Sequence, residues 1–256
     1  MPDTTNAAKL ILVTRNGWPE RSLPKSAQPM LRRQPESDPA DALDNAPEAR
    51  VVLAAPLGQT TAWLKELLRR KRHFALASLP EANGHDLTQL AVAARKRRLT
   101  PVILGSWRCL APVLALRELA GGGVLGQLSR LDIAAPPQQT LAQTIAAADL
   151  VAFLNPANHP LDFTLATDSQ PEQPTITITI TGSAGSATAT GGLNGAKSTL
   201  TTVFANRSRT IPLPLSQPDQ TEWRLFLTAP PDSQCLMTVN AAADIMGKNN
   251  RLSHQP

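Results

Sequence analysis

Through the first half of the chain, short apolar runs alternate with stretches of helical periodicity. "KLILVT" (Lys9 to Thr14) and "ARVVLAAP" (Ala49 to Pro56) are branched, apolar and stopped by turn chemistry, which predicts two buried strands. Between them Pro19 to Pro47 is rich in Pro, Ser and charge, so it is expected to be loop, with room for one short helix at Ser26 to Arg33. In "TTAWLKELLRRKR" the residues Trp63, Leu64, Leu67 and Leu68 recur at helical spacing, and four cations close the segment. Phe74 to Ala77 reads as the next strand. Asn83 to Asp86, with His85 among them, then caps a helix whose apolar face is Leu87, Leu90, Ala91 and Ala94. "PVILGS" is a strand, "CLAPVLALRELAGGG" a helix with a glycine stop, and "LGQLSRLDI" a further strand. Strands alternating with helices of this length predict a parallel sheet with helices on its faces.

Beyond Pro136-Pro137 the pattern changes. "TLAQTIAAADLVAFL" is helical, after which "TITITIT" (Thr175 to Thr181), "KSTLTTVFA" and "EWRLFLTA" read as antiparallel strands. Strict Thr/Ile alternation puts Ile176, Ile178 and Ile180 on a buried face and the threonines on the other. "TGSAGSATATGGLNGA" is expected to be a small-residue loop or weak strand, and "GKNNRLSHQP" a frayed tail. The expected fold is thus α/β plus α+β. A reduced Rossmann-like parallel-sheet domain (1–128) is followed by a domain with a mostly antiparallel open sheet (129–256).

Composition narrows the chemistry. At 256 residues and 42% hydrophobic content the chain can bury a sizeable core, while 23 prolines and no tyrosine predict many turns. Cys109 and Cys235 stand in no metal-binding spacing and are expected to be reduced, structural thiols. The apolar run near the N-terminus is too short for a signal-peptide core and no segment reaches membrane-spanning length, so a cytoplasmic location is expected. His73, His85, His159 and His254 have no partner at metal spacing, and no metal is expected. There is no G-x-S-x-G elbow. "GGLNGAKST" ends like a phosphate loop but lacks the spacing and lies between strands.

Charge is uneven: residues 1–135 carry 19 Lys+Arg against 12 Asp+Glu, and residues 136–256 carry 6 against 8. With +5 overall and no aromatic interleaving, nucleic acid is not an expected partner. Two basic tetrads, Arg69-Arg70-Lys71-Arg72 and Arg95-Lys96-Arg97-Arg98, each end a helix that returns to a strand. Both should therefore emerge at the amino edge of the parallel sheet. There they either complement the helix dipoles or form a docking patch for an acidic partner.

The run "RKRHFALASLPEANGHDLTQLAVAARKRRLTPVILGSWRCLAPVLALRELAGGGVLGQLSRLDI" resembles the middle of the Gfo/Idh/MocA family, the glucose-fructose oxidoreductase and inositol dehydrogenase group. In that family the region reads roughly G-K-H-V-x-x-E-K-P, helix, V-G-x-x-x-R-F-x-P, helix, S-G-x-x-G-x-I. Pro80, Gly105, Pro112, Gly123 and Gly126 fall in matching places. The likeness extends from about Val51 to Ile133, and more weakly to about Ala205.

The resemblance implies a dinucleotide-binding Rossmann domain joined to an open-sheet domain, with a lysine and a histidine that move a proton beside NAD(P). The chemical residues are replaced. Aligned on Pro80, the glutamate position is Ser78 and the lysine position Leu79, which has no proton to give. The D-x-G-x-H-x-x-D pattern places Ala142 at its first acid, Ala146 at its histidine and Asp149 at its last acid, which as a lone helical acid is expected to face solvent or cap. The turn after "KLILV" offers only Gly17, before Trp18 and Pro19, so the G-x-G-x-x-G cradle is absent. Thr14, Arg15, Gly17 and Pro56 are the remaining weak candidates for holding a cofactor.

The sequence thus predicts an oxidoreductase-like pseudoenzyme without a cofactor. Its expected role is as a binding, regulatory or assembly partner, in a homo-oligomer or with a related protein through its C-terminal sheet. An active NAD(P)-dependent oxidoreductase with unusual catalytic residues is the alternative.

Overall fold

The computed structural model describes residues 10–14, 30–77, 84–135, 141–155, 160–167, 175–193, 197–215, 218–228 and 236–252. The chain divides into two compact units, Met1–Ser106 with Asp219–Pro256, and Trp107–Pro218.

The first unit is built on strands β1 (Leu10–Thr14), β2 (Met30–Arg33), β3 (Arg50–Ala54), β4 (Phe74–Leu76), β5 (Val102–Ile103) and β12 (Met237–Thr238). They lie in the order β2-β1-β3-β4-β5-β12, parallel except for β12, which runs antiparallel to β5. All five residues of β1 are buried, as a central parallel strand covered on both faces requires. One face gathers Leu10, Leu12, Val52, Ala75, Val102 and Leu104 against Trp223, Phe226 and Leu236. The alternate residues, Ile11, Val13, Val51, Leu53, Phe74, Leu76 and Ile103, are equally buried. Helices α1 (Pro39–Asn45), α2 (Thr61–Arg69), α3 (Gly84–Lys96), α6 (Pro218–Thr228) and α7 (Val239–Leu252) complete the unit, with α1 packed on α2 and α3 on α7.

Several expectations are corrected here. Met30–Arg33 is a strand, and the helix of the proline-rich segment lies later, where Asp38 caps the Ala40 amide at 2.9 Å and Pro39 opens α1. "EWRLFLTA" is helical: Trp223 and Phe226, three residues apart, are both buried on the sheet. Its dense apolar content imitates a buried strand, and only the need of a parallel sheet for a covering layer decides between the two. "GKNNRL" continues α7 rather than fraying.

The second unit holds β6 (Leu128–Ala135), β7 (Asp162–Thr167), β8 (Thr175–Gly182), β9 (Gly185–Gly192), β10 (Ser198–Phe204) and β11 (Arg207–Leu213), in the order β7-β6-β8-β9-β10-β11. Only the β6/β7 pair is parallel. Helices α4 (Ala111–Gly121) and α5 (Leu141–Leu154) pack on one face, where Val113, Leu116, Leu150, Phe153 and Leu154 meet Leu131, Ile133, Ile176, Ile178, Ile180, Ala187 and Ala189. The small residues of β9 make a regular strand because α4 sits directly on it. A Cβ at Gly191 would stand 2.7 Å from Pro112 Cγ and 2.2 Å from Ser198 Oγ.

The expected boundary at 128/129 therefore differs from the division after Ser106. The apolar face of α4 belongs to the open sheet, and the C-terminal segment returns to cover and extend the parallel one. β7 and β11 were not predicted.

Candidate functional site

In a parallel sheet, ligands bind beyond the carboxyl ends of the strands, where the strand order reverses. Here the chain runs from β1 outward to β2, then back past β1 to β3, so the reversal lies between β1 and β3. The register sets Thr14 opposite Ala54, with Pro56 two residues beyond. Thr14 is buried, and the Pro56 carbonyl is used by the Gln59 amide at 2.9 Å. These residues supply one hydroxyl and no cation for a pyrophosphate. Arg15, Gly17, Ser78, Leu79 and Pro80 lie outside the described residues.

At the carboxyl end of β5 the fold does hold a buried acid. Glu222 of α6 accepts from the Gly105 amide, from the Ser106 amide at 3.0 Å and from Ser106 Oγ at 2.7 Å. Gly105 has φ +86°, which turns its amide and the next toward one acceptor. The two bonded amides tie α6 to the sheet edge. Sequence reading missed this residue because a lone glutamate in an apolar run gives no sign of its distant partner.

In the second unit the positions matched to the family's catalytic helix lie on α5. Ala146 is buried. Asp149 corrects the solvent-facing expectation: it is 1% exposed and accepts from Arg108 Nε and Nη2 at 2.6 Å each. The Arg108 guanidinium also lies 4.9 Å from the Phe153 ring centre, one turn along α5, and Arg117 approaches the same ring at 5.1 Å. A bidentate, buried pair of this kind is structural in geometry: both carboxylate oxygens are engaged by a group that does not release its proton. A signal existed, since Arg108 and Asp149 are isolated charges inside long apolar stretches. Cys109, beside it, is a buried thiol.

The basic tetrads stand at the ends of α2 and α3 that precede β4 and β5. Arg69 and Arg70 both bind Glu66, and Arg70 reaches Asp44 as well. These guanidinium bonds pull the Glu66 carboxyl down to about 2. Arg72 is half-buried and donates to the carbonyls of Ala46 and Ala49, and Arg95 pairs with Asp244 at 2.7 Å.

The outer face of the open sheet carries a polar row in register across six strands: Thr164, Asp132, Thr179, Thr188, Thr201 and Thr210. Thr177 bonds Thr190 at 3.1 Å, Thr179 bonds Thr188 at 3.0 Å and Thr201 bonds Thr210 at 2.9 Å. Among the described residues no group of three metal-ligating side chains occurs, and no helix is long and apolar enough to cross a membrane.

No protein-family model and no curated protein matches the sequence. Solved structures do match the fold. The UDP-N-acetylglucosamine 3-dehydrogenase GnnA from Acidithiobacillus ferrooxidans superposes with a TM-score of 0.68 at 14% identity, over 94% of this chain and 95% of that one. The aldose-aldose oxidoreductase from Caulobacter crescentus gives 0.61 at 12% identity, over 96% and 88%. An inositol dehydrogenase homolog from Azotobacter vinelandii in complex with NAD+ gives 0.58 at 11% identity, over 79% and 74%. The chain has the fold of the Gfo/Idh/MocA-type oxidoreductases: a Rossmann-like parallel sheet and a mostly antiparallel open sheet.

Proposed function

We propose that this chain is a non-catalytic protein on an oxidoreductase fold, acting as a binding, regulatory or assembly partner through the outer face of its antiparallel sheet. The observation that carries this reading is the state of α5. A buried methyl, Ala146, stands at the position matched to the family's histidine, and the one acid left in that motif, Asp149, is held by Arg108 on both oxygens. With leucine at position 79, none of these three positions offers a proton to move. The threonine rows give the sheet face mostly hydroxyls, and the charges of Asp132 and Arg130 on it are paired with each other, so a symmetric or related partner can meet it without burying unpaired ions.

Titration with NAD(H) and NADP(H), followed by nicotinamide fluorescence, and native mass measurement test this. The expected results are no saturable nicotinamide binding and a mass above that of the monomer, alone or with a related oxidoreductase. Saturable micromolar binding would refute the non-catalytic reading, and a monomer under all conditions would refute the partner role. The second reading, an active NAD(P)-dependent oxidoreductase, is favoured by the strand-order reversal between β1 and β3 and by the NAD+ complex of the Azotobacter vinelandii neighbour.

A further inference from the structure

The charge of this protein is concentrated at one place in the fold. The two tetrads contribute eight of the 25 Lys+Arg, and the remaining 17 are outnumbered by 20 Asp+Glu, so the chain is +5 with them and −3 without. β4 and β5 are adjacent parallel strands, and α2 and α3, which precede them, line one common groove through Leu64, Leu68, Leu90 and Ala93. Their C-termini therefore sit at neighbouring positions along the amino edge of the sheet, and each brings its tetrad to that edge.

The structure sorts the eight cations. Arg69, Arg70, Arg72 and Arg95 are tied to Glu66, Asp44, Asp244 or backbone carbonyls, and these serve the helix ends and the fold. Lys71, Lys96, Arg97 and Arg98 are exposed, and Arg97 donates to the Ala93 carbonyl of its own helix at 3.2 Å. Lys71 (φ 54°) and Arg98 (φ 58°) hold the left-handed conformation that closes each helix, with Arg72 N bonded to Leu67 O and Leu99 N to Ala94 O. Glycine takes that conformation without strain. The helix stops thus do not call for a cation at either position, yet both carry one.

We propose that the amino edge of the parallel sheet is a docking surface for an acidic protein segment, contacted by Lys71, Lys96, Arg97 and Arg98. Carboxylates match the arginine forks in bidentate geometry, and a positive pole on an otherwise acidic chain steers such a segment to this edge. Bases would need aromatic platforms, and the aromatics of these elements, Trp63 and Phe74, are buried. A bilayer would need apolar side chains among the cations, and neither tetrad contains one.

The test is fluorescence anisotropy of a labelled oligoglutamate peptide on the full chain, with the double variants Lys71→Gly/Arg98→Gly and Lys96→Gln/Arg97→Gln. Each pair of changes should weaken binding by about tenfold at low salt, and the parent should lose affinity between about 0.05 and about 0.3 M salt. The glycine variant should do so while melting no lower than the parent, which separates docking from folding. Peptide binding unchanged in both variants would overturn the proposal. So would tighter binding of a single-stranded oligonucleotide, or of phosphatidylserine vesicles, than of the peptide.

Discussion

Asp149→Ala removes one half of the buried ion pair that joins α5 to the segment before α4. In the parent, Asp149 and the Arg108 side chain are 1% and 11% exposed, and two bonds of 2.6 Å hold them together. Stripping away the carboxylate removes both of those bonds from a guanidinium that lies 4.9 Å from the Phe153 ring centre and is largely buried. Breaking a pair of this kind costs about 3–5 kcal/mol, because the surviving charge stays desolvated. At roughly 2–4 °C per kcal/mol for a chain of this size, melting should fall by on the order of 10 °C. Replacing both partners together, Arg108→Met with Asp149→Leu, should recover most of the loss, since an apolar pair of similar volume carries no desolvation penalty. Calorimetry is the assay of choice, because the loss should fall on the transition of the Trp107–Pro218 unit if the two units melt separately. Unchanged melting of Asp149→Ala, or a double variant as unstable as the single one, would refute the reasoning.

The other expectations are smaller. Glu222→Ala should destabilise by about 2–4 kcal/mol by orphaning the amides of Gly105 and Ser106, and Glu222→Gln by less, as read from chemical denaturation. Lys71→Gly and Arg98→Gly should each stabilise by about 0.5–1 kcal/mol, since both relieve a left-handed side-chain-bearing residue; lower melting would contradict the capping geometry. The His73 imidazole is held below its usual value of 6.5 by burial and then by the charge of Arg50, so the folded state resists taking its proton. Its contribution is complete above 6.5 and declines as pH falls below it, and His73→Phe should flatten that part of the stability profile. Glu66 behaves alike at lower pH: its bonds to Arg69 and Arg70 stabilise the fold above its unfolded value of 4.5 and are lost toward about 2, a loss that Glu66→Gln should abolish.

The strand-helix alternation from Ala49 to Ile133 was legible because central parallel strands are continuous apolar runs and their helices carry a clear face. The Thr/Ile period fixed which side of β8 is buried, and the family frame was readable at Gly105, Gly123 and Gly126, all of which have positive φ. Residues 207–213 and 162–167 were opaque because strands at the edge of a sheet are only partly buried, so their periodicity is weak. Trp223 and Phe226 fit either a strand or a helix by composition, and the uncovered face of the parallel sheet selects the helix.

Sequence alone determined the residue types: leucine at 79, alanine at 146 and a single glycine between β1 and β2, of which the first two have no proton to give whatever the fold. Tertiary structure decided the roles of what remained. Arg108 meets Asp149 across 41 residues and Gly105–Ser106 meet Glu222 across more than a hundred. Such pairings depend on how helices cross sheets rather than on local spacing, so the same carboxylate is a catalyst or a strut according to what the packing brings beside it.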